Sequence, residues 1–203
     1  MSIDQTLRPT VVAPARFTQA NIGWQPWLEP VPETELTDVQ RDALIDAGRA
    51  KSPYFRLLVH DPAILKARTL TDLDIFYNPD AGLPRGEREF AAAATSRFNG
   101  CIFCASVHAR FASHFLDDAA EVATLLDGGV GADFSPRTQA IVDATVALTR
   151  TPIEFGPVHV NALREVGLDD AAIADLIQAT AFFNWANRLM LSLGEPDVGN
   201  LPR

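Results

Sequence analysis

The chain has 203 residues, 47% of them hydrophobic and 21% charged, enough apolar material for a folded core in one large domain and too much for a disordered chain. Its formal net charge of -9, with Lys and Arg scattered, excludes the basic footprint of a nucleic-acid binder. No apolar run approaches the ~20 residues that a bilayer span needs, and the N-terminus has no basic start followed by an apolar stretch, so a cytoplasmic protein with no membrane contact is expected.

Residues 1–34 carry Pro9, Pro14, Pro26, Pro30 and Pro32 together with Trp24 and Trp27. The prolines block a helix, and the tryptophans are too large and apolar for a free tail. An extended arm lying against the body or a second subunit is predicted, ahead of one all-helical domain over 35–203. Strand signals are absent. Thr37 reads as the cap of a helix over DVQRDALIDAG, with Val39, Ala43, Leu44 and Ala47 on its inner stripe and Gly48 at its end. Asp61-Pro62 opens the next helix, with Ile64, Leu65, Leu73 and Phe76 facing the core. Pro84 starts a segment carrying Glu89, and Asn99-Gly100 breaks it.

A new helix then begins near Cys101. Beyond it, DDAAEVATLLDGG reads as a short helix, Ser135-Pro136 opens another, PVHVNALREVG runs to Gly167, and a long helix closes at Gly194. No repeat or second composition regime interrupts this pattern, which is that of an all-α helical bundle.

Both cysteines of the chain sit in CIFCASVH, residues 101–108. At a helix start the first backbone N–H groups lack intrahelical partners and the macrodipole favours negative charge, so a thiolate is stabilised there. Cys101, Cys104 and His108 follow at i, i+3 and i+7, within an arc of about 60°. His114 points elsewhere, and the spacing is shorter than a zinc-finger pattern, so neither a metal nor an organic cofactor is expected. In a reducing compartment such a pair is a working redox centre rather than a staple.

A helix end supplies only about 0.3–2 kcal/mol to a thiolate, so His108 is the candidate acid/base partner and Glu89, folded back by the turn, its orienting carboxylate. Glu87 is about 200° round the helix and faces away. His60, His114 and His159 read as structural or solvated. Asn187 and Arg188 read as a buried hydrogen-bonding pair between helices. Phe98, Phe103, Phe111, Phe115, Phe182, Phe183 and Trp185 read as core or subunit interface, some of them walling an apolar pocket beside the thiols.

A glutamate, then eleven residues ending in Asn-Gly, then Cys-x-x-Cys-x-x-x-His resembles the active-site signature of the alkylhydroperoxidase D-like branch of the carboxymuconolactone decarboxylase superfamily. The likeness is specific over Glu89–His108 and looser over 35–195. It implies an alkylhydroperoxidase D-like helical bundle behind the Pro-rich arm. It also implies a thiol-dependent peroxidase in which Cys104 is oxidised by a hydroperoxide, Cys101 resolves the product as a disulfide, and His108 and Glu89 relay protons. A homo-oligomer and an external dithiol reductant, a thioredoxin-like protein or a lipoyl group, would follow. Phe103 stands where some members carry a second histidine. The alternatives are a noncatalytic redox-sensing or partner-binding module, and a lyase of the decarboxylase kind that dispenses with the thiols.

Overall fold

Helix starts fall where the sequence places its caps. The computed structural model describes residues 11–116 and 118–199; the first ten residues of the expected arm, Pro9 among them, lie outside that range. Among the described residues nine helices form: α1 (Asp38–Ala43), α2 (Pro53–Leu58), α3 (Pro62–Tyr77), α4 (Arg85–Asn99), α5 (Ile102–Phe115), α6 (Ala119–Gly128), α7 (Pro136–Thr149), α8 (Pro157–Glu165) and α9 (Asp170–Leu193). Thr37 and Gln40 close a capping box on α1, and Asp61, Asp118 and Asp169 accept the free N–H groups of α3, α6 and α9. Pro62, Pro136 and Pro157 occupy first helical positions, where a missing N–H costs nothing.

Helix α4 is the central post, touching α3, α5, α6, α7 and α9. Its run Ala91–Ala94 is fully buried, and four consecutive residues cover every direction around a helix, so α4 is enclosed on all sides. Small side chains there let its neighbours approach closely. Where α4 begins, Gly86 lies against the end of α5; a Cβ there would meet Leu116 at 2.9 Å. Gly100 ends α4 at φ 79°, a left-handed turn that glycine adopts without penalty. Helix α5 then runs back along α4.

Several expectations are corrected. Helix α1 stops at Ala43, because Ile45 takes φ 65° and a 3-10 turn follows over Ala47–Lys51. Val39, Ala47 and Ile64, expected on inner stripes, are exposed; the segments carrying them are covered on one narrow side only. Arg188 is exposed and donates to the carbonyl of Asn184, so it does not pair with Asn187.

Strands are present too. β1 (Gly23–Pro26), within the arm, pairs antiparallel with β2 (Gly194–Asp197), directly after α9. The two segments lie near opposite ends of the chain, Pro26 pairing with Gly194, and four-residue strands give no readable alternation.

Residues 11–34 lie on the helical body. Trp24 is buried edge-on against Tyr54 at 5.4 Å and belongs to the same apolar cluster as Cys101, Cys104, Phe76 and Phe183. Val31 and Arg56 exchange two hydrogen bonds, and Phe17 lies under the Arg97 guanidinium. No helix of the described residues is long and apolar enough to cross a membrane.

Candidate active site

The α4–α5 hairpin brings Glu89 and His108 together, although 19 positions separate them. His108 Nδ1 lies 2.6 Å from Glu89 Oε2. The other carboxylate oxygen, Oε1, accepts from Arg85 Nε and Nη2 at 3.2 and 3.3 Å. Arg85 is one helical turn before Glu89 and lies on the faces of Tyr77 and Phe115, both at 4.1 Å. A carboxylate paired with a guanidinium offers only acceptor sites, so Nδ1 of His108 carries the proton and Nε2 is its basic nitrogen. The ring is held edge-on to Phe183 at 4.1 Å and beside Phe76 at 5.2 Å. Glu87 turns away, as its place on the helix predicts, and pairs with Arg137 on α7.

Cys101 occupies the N-cap of α5 and Cys104 its first turn; both are free thiols and both are buried. They differ in access. Cys104 lines a cavity of about 290 Å3, walled mainly by Tyr54, Phe76, Phe103, Phe183 and Met190, into which His108 and Glu89 also face. Cys101 stands behind it.

They differ in charge as well. The adjoining Cys104 thiol holds the Cys101 thiol below its ordinary value against the opposing effect of burial, with the Cys104 backbone N–H and the Asn187 side chain adding to the lowering. The same neighbour, then complete burial, push Cys104 well above the ordinary thiol value. Of the two thiols, Cys104 therefore holds its proton the more tightly. Among the described residues no hydrogen bond joins His108 to either sulfur, although His108 and Cys104 line the same cavity.

Asn187 of α9 is fully buried; it donates to Ser96 Oγ at 3.0 Å and accepts from Asn99 Nδ2 at 3.1 Å. Asn99 also donates to Asn184, which continues to Thr149. The sequence reading of Asn187 as a buried tie between helices holds, with α4 as its partner, but its nearness to Cys101 gives it a second role. Its signal was an amide, one of two, within the largely apolar run AFFNWANRLM. Arg85 was findable as an i, i+4 partner of Glu89. Tyr54 and Arg68 reach the cavity from α2 and α3, and no local pattern links them to the cysteines. Burial pushes the Tyr54 phenol up to about 12, opposed by the Arg68 guanidinium.

His60, His114 and His159 stand apart from the site. His60 bonds the carbonyl of Glu29, His114 packs on Phe115 at the surface, and His159 accepts from the Gly156 N–H while stacking on Phe155. Among the described residues no group of three or more His, Cys, Asp or Glu is arranged to hold a metal ion. Of the aromatics, Phe182 and Phe183 are core, Phe103 and Phe111 wall the cavity, and Phe98, Phe115 and Trp185 are partly exposed.

The helical body carries a buried dithiol at a helix start, facing a Glu–His pair across one cavity. Residues 62–147, from the start of α3 into α7, match the carboxymuconolactone decarboxylase family, and this match together with the first structural likeness below supports the alkylhydroperoxidase D-like branch of that superfamily.

Among solved structures it is similar to the alkylhydroperoxidase AhpD core of an uncharacterized peroxidase-related protein from Ralstonia eutropha JMP134. There the TM-score is 0.69 at 27% identity, over 86% of this chain and 96% of that one. A peroxidase-related protein from Silicibacter sp. TM1040 gives a TM-score of 0.65 at 22% identity, over 92% of this chain and 95% of that one. The debrominase Bmp8, in a cysteine-to-alanine variant bound to 2,3,4-tribromopyrrole, shares the fold at a TM-score of 0.62 and 15% identity, over 83% and 89% of the two chains. No curated protein matches the chain significantly in sequence. The family match and the first of these likenesses support an enzyme of a peroxidase-related or carboxymuconolactone decarboxylase-family kind.

Proposed function

We propose that the protein reduces organic hydroperoxides through a thiol/disulfide cycle. The observation that carries this reading is the sharing of one cavity by Cys104, His108 and Glu89, with Cys101 immediately behind. His108 Nε2 takes the Cys104 proton, and the thiolate attacks the terminal peroxide oxygen. The O–O bond breaks; the imidazolium returns the proton to the leaving alkoxide, giving an alcohol and a sulfenic acid on Cys104. Cys101, the more acidic thiol, then attacks that sulfur. The S–O bond breaks, the proton of the Cys101 thiol passes to the leaving hydroxide to give water, and the S–S bond forms.

An external dithiol, a thioredoxin-like protein or a lipoyl group, restores the thiols, which suits a reducing cytoplasm. The exposed Tyr77, Phe115 and Trp185 favour a homo-oligomer. Phe103, on the cavity wall, gives that position an apolar role and leaves His108 as the site's imidazole.

Titrating thiols before and after cumene hydroperoxide tests the cycle. Two thiols lost per chain in the wild type, a dimedone-trapped sulfenic acid on Cys104 in Cys101→Ser, and slower oxidation in His108→Ala support it. Oxidation no faster than that of free cysteine refutes it, and activity on a lactone that survives removal of both thiols assigns the lyase chemistry instead.

A further inference from the structure

One cation in the cavity wall is left incomplete by the protein. Arg68, on α3, has a side chain only 9% exposed, and it lines the same cavity as Cys104 and His108. Its Nε and Nη1 are buried and have no hydrogen-bond partner among the described residues. The nearest carboxylate oxygen, Asp72 Oδ2, stands 3.6 Å from Nη1, outside hydrogen-bonding distance. The guanidinium lies over Phe182 at 5.3 Å and Phe55 at 5.7 Å. Aromatic rings satisfy the face of a guanidinium, but its N–H bonds lie in the plane and remain unmet. Buried donors without partners cost about 1–3 kcal/mol each and are rare in folded proteins. Of the other polar groups in this wall, Glu89 is committed to Arg85 and His108 and the Tyr54 hydroxyl is near enough to feel the guanidinium; most of the rest is carbon.

We propose that the cavity receives an apolar molecule bearing a single carboxylate, with Arg68 as the group that binds it. A planar guanidinium matches a carboxylate. A phosphate dianion suits the site poorly, since it would meet one arginine and two cavity-lining carboxylates, Asp72 and Glu89. Taken with the peroxidase reading, on which this last step rests, the substrate is an organic hydroperoxide with an acid group at the end remote from its O–O bond.

Two measurements test this separately from the redox chemistry. Octanoate and octanol are titrated calorimetrically into the wild type, Arg68→Gln and Asp72→Asn. Charge-assisted hydrogen bonds of about 1.5–3 kcal/mol correspond to roughly 10- to 150-fold in affinity. Octanoate binding over octanol by that margin in the wild type, its loss in Arg68→Gln and its tightening in Asp72→Asn support the proposal. Asp72→Asn keeps the test decisive if thermal melting finds Arg68→Gln unfolded.

In the second measurement, kcat/KM is compared for a cumene-type hydroperoxide with a para carboxylate and for its methyl ester. The acid should be preferred, and Arg68→Gln should erase the preference. Octanoate no better than octanol in the wild type, or an equal slowing of acid and ester in Arg68→Gln, overturns the carboxylate site; the second result would assign Arg68 to the thiols instead. Octanoate binding as described, with neither hydroperoxide turned over, keeps the carboxylate site and removes the peroxidase reading.

Discussion

Replacing Glu89 by Gln keeps the volume of a fully buried side chain and removes its charge. In the wild type the carboxylate fixes the Nδ1–H tautomer of His108 through a 2.6 Å contact while Arg85 holds its second oxygen. A neutral amide can donate as well as accept, so it no longer dictates which ring nitrogen carries the proton, and it no longer favours an imidazolium beside it. Charge-assisted hydrogen bonds contribute about 1.5–3 kcal/mol; lost from the step in which His108 takes the Cys104 proton, that slows oxidation roughly 10- to 150-fold. Stopped-flow measurement of thiol loss under excess cumene hydroperoxide reads the rate, and a thermal melt reports whether the fold survives. The decisive comparison is the double variant. If Glu89 acts through His108, Glu89→Gln combined with His108→Ala is no slower than His108→Ala alone. Additive effects, or a wild-type rate in Glu89→Gln, would refute the relay.

Three further outcomes are expected. Cys101 ionises more readily than an ordinary thiol chiefly because of Cys104 and secondarily because of Asn187, so thiolate absorbance near 240 nm should titrate at higher pH in Asn187→Ala and higher still in Cys104→Ala; the reverse order contradicts the assignment. The Tyr54 phenol titrates near 12 in the folded chain against 10.0 unfolded. The folded state thus holds its proton longer, and stability falls as pH rises from about 10 to 12, by roughly 3 kcal/mol in all. Denaturant melts across that range should show Tyr54→Phe losing less than the wild type. Gly100→Ala introduces a side chain with nothing within 4 Å at φ 79°, so its cost is the backbone term alone, about 1–2 kcal/mol, and a much larger loss in a urea melt would show that the turn is constrained by something else.

What the sequence revealed follows the range over which each signal acts. Capped starts at Asp61-Pro62 and Ser135-Pro136 and glycine stops at Gly100, Gly129 and Gly167 are local, and these boundaries were legible. So was the pairing of Glu89 with His108, because a single tight turn forces α4 and α5 together and fixes which faces meet. Burial patterns failed where a helix is covered on one narrow side, as at Val39 and Ile64. The β1–β2 pair was illegible because strands of four residues have too little alternation, and their partners lie at opposite ends of the chain. Tyr54, Arg68 and Asn187 escaped for a related reason: each reaches the site from a different helix, and only packing brings them to the cysteines. Arm position had a composition signal, two tryptophans among prolines, that foretold contact without naming Tyr54 as its target.

Spacing alone pointed to Cys104 as the attacking thiol because His108 is one turn away, while a helix start favours charge on Cys101. The structure separates these two advantages instead of giving both to one sulfur. Cys104 has the cavity and the imidazole; Cys101 has the lowered pKa and the Asn187 amide and does not line the cavity. A thiol that reaches substrate but holds its proton is quiet until a base removes it, which confines reaction to molecules that enter beside His108. In the proposed cycle Cys101 keeps the Cys104 backbone N–H and the Asn187 side chain, which favour its thiolate, after the Cys104 thiol is oxidised. Divided in this way, the proposed cycle limits entry at one sulfur and favours closure at the other. Exchanging the roles would leave the more acidic sulfur sheltered from any substrate and the cavity-facing one slower to resolve it.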